Sequence, residues 1–461
     1  MPSLALRRLA IYAAMILAAG ALFALVWHLG DGLVAPVRPS AEVSFGVPAA
    51  ATRASGLASF LLALIVVVAC ARALGSIASR LGQAPVIGEM IAGIALGPSL
   101  FGRLWPAGSA ALFTPHVTDL LGTCAQASVI VFMFLVGLEL DPARLRGHSH
   151  VTIVTSHAGI VAPFVLGTFL ALYLYPRYST SDVPFMVFAL FSGVSLSVTA
   201  FPVLVRILGD LRIQHTRLGV LALACAAVDD ATAWLLLAAL TSVTRADASS
   251  VLWTLGLTIA YVALMILVAR PRVEGVVRGF DARGGATAGV ISAVFMAVLA
   301  SALITEWIGI HALFGAFLLG VVTPHDSAVA QELRKRLEDF VVVLALPVFF
   351  AYSGLRTRIG LFDHPAQWLD LAIIVAVASI GKVGGCFAAA WGQGVPRREA
   401  WGLGILMNTR GLMELIVLNV GLDLKVLSPE LFALLVLMAV VTTVATTPLL
   451  RSLARTLVVS E

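Results

Sequence analysis

Gly219-Val-Leu-Ala-Leu-Ala-Cys-Ala-Ala-Val-Asp-Asp-Ala-Thr-Ala-Trp-Leu-Leu-Leu-Ala-Ala-Leu-Thr-Ser-Val243 is the stretch on which the reading of this chain turns. As a helix it is long enough to cross a hydrocarbon core about 30 Å thick, and its only charges are two adjacent aspartates, Asp229 and Asp230, at its middle. Its apolar residues are contiguous rather than alternating, which excludes a barrel strand. The backbone must therefore satisfy its own hydrogen bonds as an α-helix. Comparable runs extend from Val151 to Tyr175, Leu369 to Trp391 and Leu431 to Leu449. Of the 461 residues 60% are hydrophobic and 12% charged, against about 45–50% and 25% in soluble domains. A soluble fold cannot hide that much apolar surface, so the expected class is an all-α polytopic membrane protein.

Working outward, apolar runs suggest fourteen spans centred near residues 20, 65, 92, 130, 163, 196, 230, 260, 296, 315, 347, 379, 409 and 440. With a cytoplasmic N-terminus, inner segments carry twenty of the thirty basic residues and outer ones eight; Lys382 and Arg410 fall within spans. The positive-inside rule then places both termini in the cytoplasm of an inner (plasma) membrane protein. Loop arginines that fix topology also explain the net charge of +5, so no nucleic-acid partner is implied. Residues 1–55 read as an N-terminal helix and linker, the helix being an anchor in preference to a signal peptide. Residues 56–450 read as a thirteen-span core, and 451–461 as a short cytoplasmic tail. Cys70, Cys124, Cys225 and Cys386 are too widely spaced to suggest a metal site or a disulfide framework and read as packing residues.

The core contains a repeat. Phe134-Leu-Val-Gly-Leu-Glu-Leu-Asp141 resembles Phe350-Ala-Tyr-Ser-Gly-Leu-Arg-Thr357, and Ala92–Pro98 resembles Gly315–Pro324. A third pair is Arg206–Leu211 with Leu418–Leu424. Seven spans separate the partners, an odd number, so the halves, about 56–243 and 287–450, are expected to lie inverted in the membrane. Inverted repeats with broken helices at the midplane are the architecture of secondary transporters. Each half offers such a break, Ser192-Gly-Val-Ser-Leu-Ser-Val-Thr-Ala-Phe-Pro202 and Met407-Asn-Thr-Arg-Gly-Leu-Met-Glu414. In the first, Pro202 removes a backbone donor, and Ser195, Ser197 and Thr199 can cover what it frees.

A charge at bilayer depth costs about 2.5–3.5 kcal/mol on insertion scales, so each demands a partner or a function. Neighbours on a helix diverge by about 100°, so Asp229 and Asp230 face different surroundings and cannot both serve one ion pair. Lys382, in Ser379-Ile-Gly-Lys-Val-Gly-Gly385, is the natural partner for one of them. Arg410 and Glu414 are spaced to meet on one helix and read as a structural ion pair at the second break. Glu306 reads as interfacial, Glu139 and Asp141 as the inner end of a span, and His148, His150 and His215 as loop residues.

At these residues the chain resembles the monovalent cation:proton antiporter-2 family, in the branch of the plant cation/proton exchangers and their shorter bacterial relatives. The motifs are Gln83-Ala-Pro-Val-Ile-Gly-Glu-Met-Ile-Ala-Gly-Ile-Ala-Leu-Gly-Pro98, Ser197–Leu204, the Asp229-Asp230 pair, Phe349–Leu355 and Asn408–Leu415. The resemblance implies a thirteen-helix core in which a six-helix ion-carrying bundle works against a dimerising one. It also implies that Asp230 binds either a monovalent cation or a proton, that Asp229 pairs with Lys382, and that Thr199 offers an oxygen near the ion. A homodimer in the lipid bilayer is expected, with no cofactor. Relative to the family, an extra N-terminal helix and the absence of the large cytoplasmic tail common among relatives are expected.

The implied chemistry is exchange of Na+ for H+ at one carboxylate, not enzyme catalysis. Two protons per cation are expected from two acidic residues. The alternative is K+/H+ exchange, or K+ efflux gated by a separate subunit, since oxygen ligands hold either ion. An intramembrane aspartyl protease would need two aspartates facing each other across helices, which neighbours on one helix do not provide. The topology is directly testable: a reporter fused after Arg283 is expected to be cytoplasmic and one after Arg245 extracytoplasmic. Fusions that report the same side would refute both the span order and the inverted repeat.

Overall fold

The computed structural model describes residues 2–36, 56–139, 149–245, 248–281, 287–357 and 364–458. The linker at 37–55, the loop with Asp141 and His148, and Arg283, Arg358 and the extreme C-terminus lie outside the described residues. The chain runs through α1 (Pro2–Gly30), α2 (Gly56–Arg80), α3 (Pro85–Leu96), two short helices α4 (Phe101–Leu104) and α5 (Pro106–Leu112), and α6 (Pro115–Glu139). It continues with α7 (Ser149–Tyr178), α8 (Phe185–Ser197), α9 (Phe201–Asp210) and α10 (Arg217–Arg245). Next, α11 (Ala248–Leu264) passes through a π turn into α12 (Arg270–Asp281), followed by α13 (Ala288–Ile308) and α14 (Ala312–Val322). After α15 (Ala328–Phe340) a second π turn leads into α16 (Leu346–Leu355). The last helices are α17 (Pro365–Gly392), α18 (Arg397–Met407), α19 (Leu412–Asp423) and α20 (Pro429–Val458).

Eleven of the described helical segments are long and apolar enough to cross a membrane. Eleven of the fourteen expected centres fall in these segments, and the centre at 315 falls in the shorter apolar α14. The centres at 196 and 409 fall where a passage stops midway and resumes: α8 gives way to α9 and α18 to α19. The first break differs in cause from the sequence reading. Pro202 sits in the first turn of α9, where a missing N–H leaves nothing unsatisfied. The chain is instead extended at Val198 (φ −75°, ψ 141°) and Ala200 (φ −98°, ψ 95°).

The repeated motifs pack across the halves. The Ala92–Pro98 segment of α3 lies on α16, where a Cβ on Gly93 would stand 2.2 Å from the Ala351 carbonyl oxygen. Reciprocally, α14 lies on α6, and a Cβ on Gly320 would stand 2.3 Å from the Phe134 carbonyl oxygen. Each half thus lends the other a glycine at backbone contact. A second set of helices, α7, α8, α10, α17, α18 and α20, packs together around the breaks. The N-terminal helix α1 lies against α7 and α8, with Tyr12 edge-on to His157 at 5.4 Å and Phe23 beside Phe164 at 6.0 Å.

Crowding at these glycines predicts the effect of adding side chains. Gly354 lies 2.6 Å, measured from an added Cβ, from the Ile94 amide and the Met90 carbonyl, so Gly354→Val is expected to destabilise the protein by about 1–3 kcal/mol or more. Gly384→Ala has nothing within 4 Å and serves as the control. Size-exclusion thermal melts that showed equal loss for the two would refute the close crossing.

Candidate ion site

The two breaks are built against each other. The Ala200 amide donates to the Thr409 carbonyl at 2.9 Å, and Thr199 Oγ1 donates to the Met407 carbonyl at 2.9 Å. Arg410 reaches back from the second break to the end of α8. Its Nη1 donates to the Ser195 carbonyl at 3.0 Å and its Nη2 to the Leu196 carbonyl at 2.6 Å. The Arg410 backbone is held in turn by Thr443 of α20, whose hydroxyl accepts from the Arg410 amide at 2.9 Å and donates to its carbonyl at 2.8 Å. The Lys382 ammonium donates to the Ser197 carbonyl. Three successive carbonyls at the C-terminus of α8, the negative end of the helix dipole, are therefore capped by two cations.

The carboxylates divide as their angular separation requires. Asp229 meets Lys382, with Nζ 3.0 Å from Oδ2 and 3.3 Å from Oδ1, and both side chains are fully buried. Asp230 is 1% exposed, and neither of its oxygens has a hydrogen-bond partner. The Phe201 amide, at the positive N-terminal end of α9, bears on it without bonding either oxygen. Arg410 and Glu414 form the expected pair, Nη1 to Oε2 at 3.2 Å, again fully buried. The structure thus gathers Asp229, Lys382, Thr199, Arg410 and Glu414 at one crossing, with Asp230 beside Asp229 on α10. Among the described residues, no group of three or more His, Cys, Asp or Glu side chains could hold a metal ion.

Residues 62–453 match the family described as Sodium/hydrogen exchanger, transmembrane. The chain belongs to the sodium/hydrogen exchanger family. It is 44% identical over 388 residues to the Na(+)/H(+) antiporter NhaS4 of Synechocystis sp., covering 84% of this chain and 95% of that one. Cation/H(+) antiporter 20 of Arabidopsis thaliana is 39% identical and K(+)/H(+) antiporter 1 of Saccharomyces cerevisiae 33%. These matches take in 83% and 80% of this chain but only 47% and 43% of the relatives, so the chain spans about half their length. Its fold resembles the sodium proton antiporter MjNhaP1 from Methanocaldococcus jannaschii, with TM-score 0.62 at 12% identity over 88% of this chain and 99% of that one.

In this exchanger-family chain, several contacts were not legible beforehand. Arg356, one of the eight basic residues of the expected outer segments, caps the end of α16 and is buried. Its Nη1 donates to Asn419 Oδ1 at 2.9 Å and its Nη2 to Asp423 Oδ1 at 2.6 Å, while Asn419 donates to Ser353 Oγ at 2.9 Å. This network ties the far end of α19 to α16. Asn419 and Asp423 are spaced i, i+4 within the third repeated segment, which was the available signal. Beside them, a cavity of about 590 Å³ opens between α6, α13, α14 and α19, lined among others by Gln126, Glu306, His311, Val420 and Asp423. Asp370 on α17 accepts from Tyr173 at 2.8 Å and Tyr178 at 2.5 Å, clasping α17 to α7. Of the cysteines, Cys225 and Cys386 are buried as packing requires, whereas Cys124 is exposed.

Removing one partner of a buried pair leaves an uncompensated charge. Lys382→Ala is accordingly expected to destabilise the protein by about 3–5 kcal/mol. Adding Asp229→Asn removes the orphaned charge and is expected to recover part of that loss. Thermal melts of the four proteins in a double-mutant cycle measure the coupling; simple additivity would refute the partnership.

Proposed function

We propose that the chain exchanges a monovalent cation for protons across the inner membrane by alternating access, with Asp230 as the group for which cation and proton compete. The observation that carries this reading is the state of that carboxylate: buried, and with both oxygens unpartnered. A bare carboxylate in such a place is costly, so its stable forms are the acid and the cation-bound anion. The two forms exclude each other, which is the requirement for exchange. An empty charged site should be too costly to cross, which suppresses leak.

Around it, Asp229 and Lys382 hold each other's charge, and Thr199 carries an oxygen to the same crossing. Arg410 and Glu414 fix the second broken helix. With two acidic residues on α10, two protons per cation is the proposed stoichiometry, the Asp229–Lys382 pair releasing or taking up the second. Na+ is the favoured cation, supported by the name of NhaS4; K+ is the second reading, supported by the yeast relative's name. The protein is proposed to work as a homodimer with both termini cytoplasmic, its transport unit comprising residues 56–450.

Reconstituted exchange under a set pH gradient tests this. Asp230→Asn keeps the size of the side chain but can neither hold the cation nor return the proton, and is expected to abolish exchange in a folded protein. Asp230→Glu is expected to retain some transport with altered affinity. In the wild type, raising the pH is expected to lower the apparent KM for the cation, because fewer protons compete. Substantial exchange by Asp230→Asn would sink the single-site reading and move the assignment to Glu414 or Asp229.

A further inference from the structure

Near the ion pair, α7 carries Thr155 and Ser156, which the exchange reading does not use; Thr152, one turn earlier on the same face, also has a buried hydroxyl without a partner. Thr155 and Ser156 are fully buried, and neither hydroxyl has a hydrogen-bond partner. Helical Ser and Thr commonly bond back to a carbonyl one turn earlier, as Thr118, Thr305 and Thr442 do in this chain. These two do not. A buried polar atom left in this way implies water or an ion in the space it faces.

Their neighbours on α7 locate that space. One turn earlier, the Thr152 carbonyl accepts from Cys225 Sγ of α10 at 3.7 Å. One turn later, Gly159 abuts Cys386 of α17, whose Sγ lies 2.4 Å from where a Cβ would stand. Further along, Pro163 lies against Gly381 of α17. Residues 152, 155, 156, 159 and 163 share one helix face, so the hydroxyls look into the seam between α7, α10 and α17. Cys225 precedes Asp229 by one turn and Cys386 follows Lys382 by one turn. In the proposed topology, α7 and α10 begin on the cytoplasmic side and α17 ends there. The seam therefore lies just cytoplasmic of the Asp229–Lys382 pair.

We propose that Thr155 and Ser156 line a small water-holding crevice in this seam, which forms the cytoplasmic leg of the proton route to the Asp229–Lys382 pair. The proposal rests on the exchange reading. Each hydroxyl oxygen accepts a proton from a protonated water on its outer side, which is left as neutral water, and passes its own proton to the next water toward the Asp229–Lys382 pair, so the side chain is unchanged and one proton has moved inward. Cys225 and Asp229 face the seam from α10, and Lys382 and Cys386 from α17. On α7 itself, His150, read from the sequence as a loop residue, stands in the first turn with its Nδ1 buried and without a partner, and His157 is turned to Tyr12 of α1, with its Nδ1 on the Ile153 carbonyl at 2.8 Å; α8 carries no titratable side chain.

The test compares wild type with the Thr155→Val, Ser156→Ala double variant in proteoliposomes, across pH and at saturating Na+ and K+ in turn. The expected result is a several-fold slower exchange, most pronounced at alkaline pH where protons are scarcest, with the cation KM unchanged. Thr155→Ser with Ser156→Thr, which keep both hydroxyls, should restore the rate and the pH profile. An unchanged rate and pH profile would overturn the relay. So would a changed cation KM with an unchanged pH profile, or a loss that tracks the folded fraction on size exclusion and is not rescued by the hydroxyl-bearing variant. Wild-type liposomes that exchange neither cation would overturn the exchange reading and this one with it, whereas an active wild type with an insensitive variant overturns this one alone.

Discussion

A helix interrupted inside a bilayer exposes carbonyls and amides that water cannot reach, and each unsatisfied group costs several kcal/mol. The rest of the site depends on how that cost is met. Here the two breaks meet it with each other and with two cations: Ala200 bonds Thr409, Thr199 bonds Met407, and the last carbonyls of α8 are covered by Arg410 and Lys382. Neither break would be stable alone, so the crossing is a single unit contributed by both halves of the chain. Lys382 belongs to that unit twice, as a cap on a helix end and as the partner of Asp229.

That double engagement separates the two aspartates. The ammonium is held by the Ser197 carbonyl on one side and by Asp229 on the other. Asp230, about 100° around the helix, is left without a partner among the described residues. In the proposed exchange this is useful, because a carboxylate already paired with lysine would have to give up that pair to take a cation. The unpaired neighbour is free to bind.

Much of this arrangement was legible in the sequence. Contiguous apolar runs fixed the helical class, and the expense of charge at depth singled out Asp229, Asp230, Lys382, Arg410 and Glu414. The i, i+4 rule paired Arg410 with Glu414, now seen at 3.2 Å. What escaped involves contacts between elements distant in the chain. Arg410 clamps carbonyls more than two hundred residues away, and backbone acceptors leave no mark in a residue pattern. Arg356 looked like a loop charge because it follows the last apolar residue of its span, yet Asn419 and Asp423 on α19 bury it. Pro202 drew attention to the first break but stands in the turn after it. Thr155 and Ser156 leave no mark in the residue pattern, because a hydroxyl in an apolar helix ordinarily satisfies itself and these do not.

The identity of the two cations fits the division of labour. A guanidinium stays charged under any physiological condition and presents several donors in a rigid fork. Arg410 uses that fork to join two carbonyls and a carboxylate at once, a structural duty in which a change of charge would release the break. An ammonium is a compact charge on a flexible stem that can give up its proton when its surroundings favour it. Lys382 uses that compact charge beside Asp229, on the helix that carries the proposed cation site. Exchanging the two residue types would keep the net charge of the site. It would put a rigid fork beside Asp229 and a single flexible ammonium where the broken helices must hold.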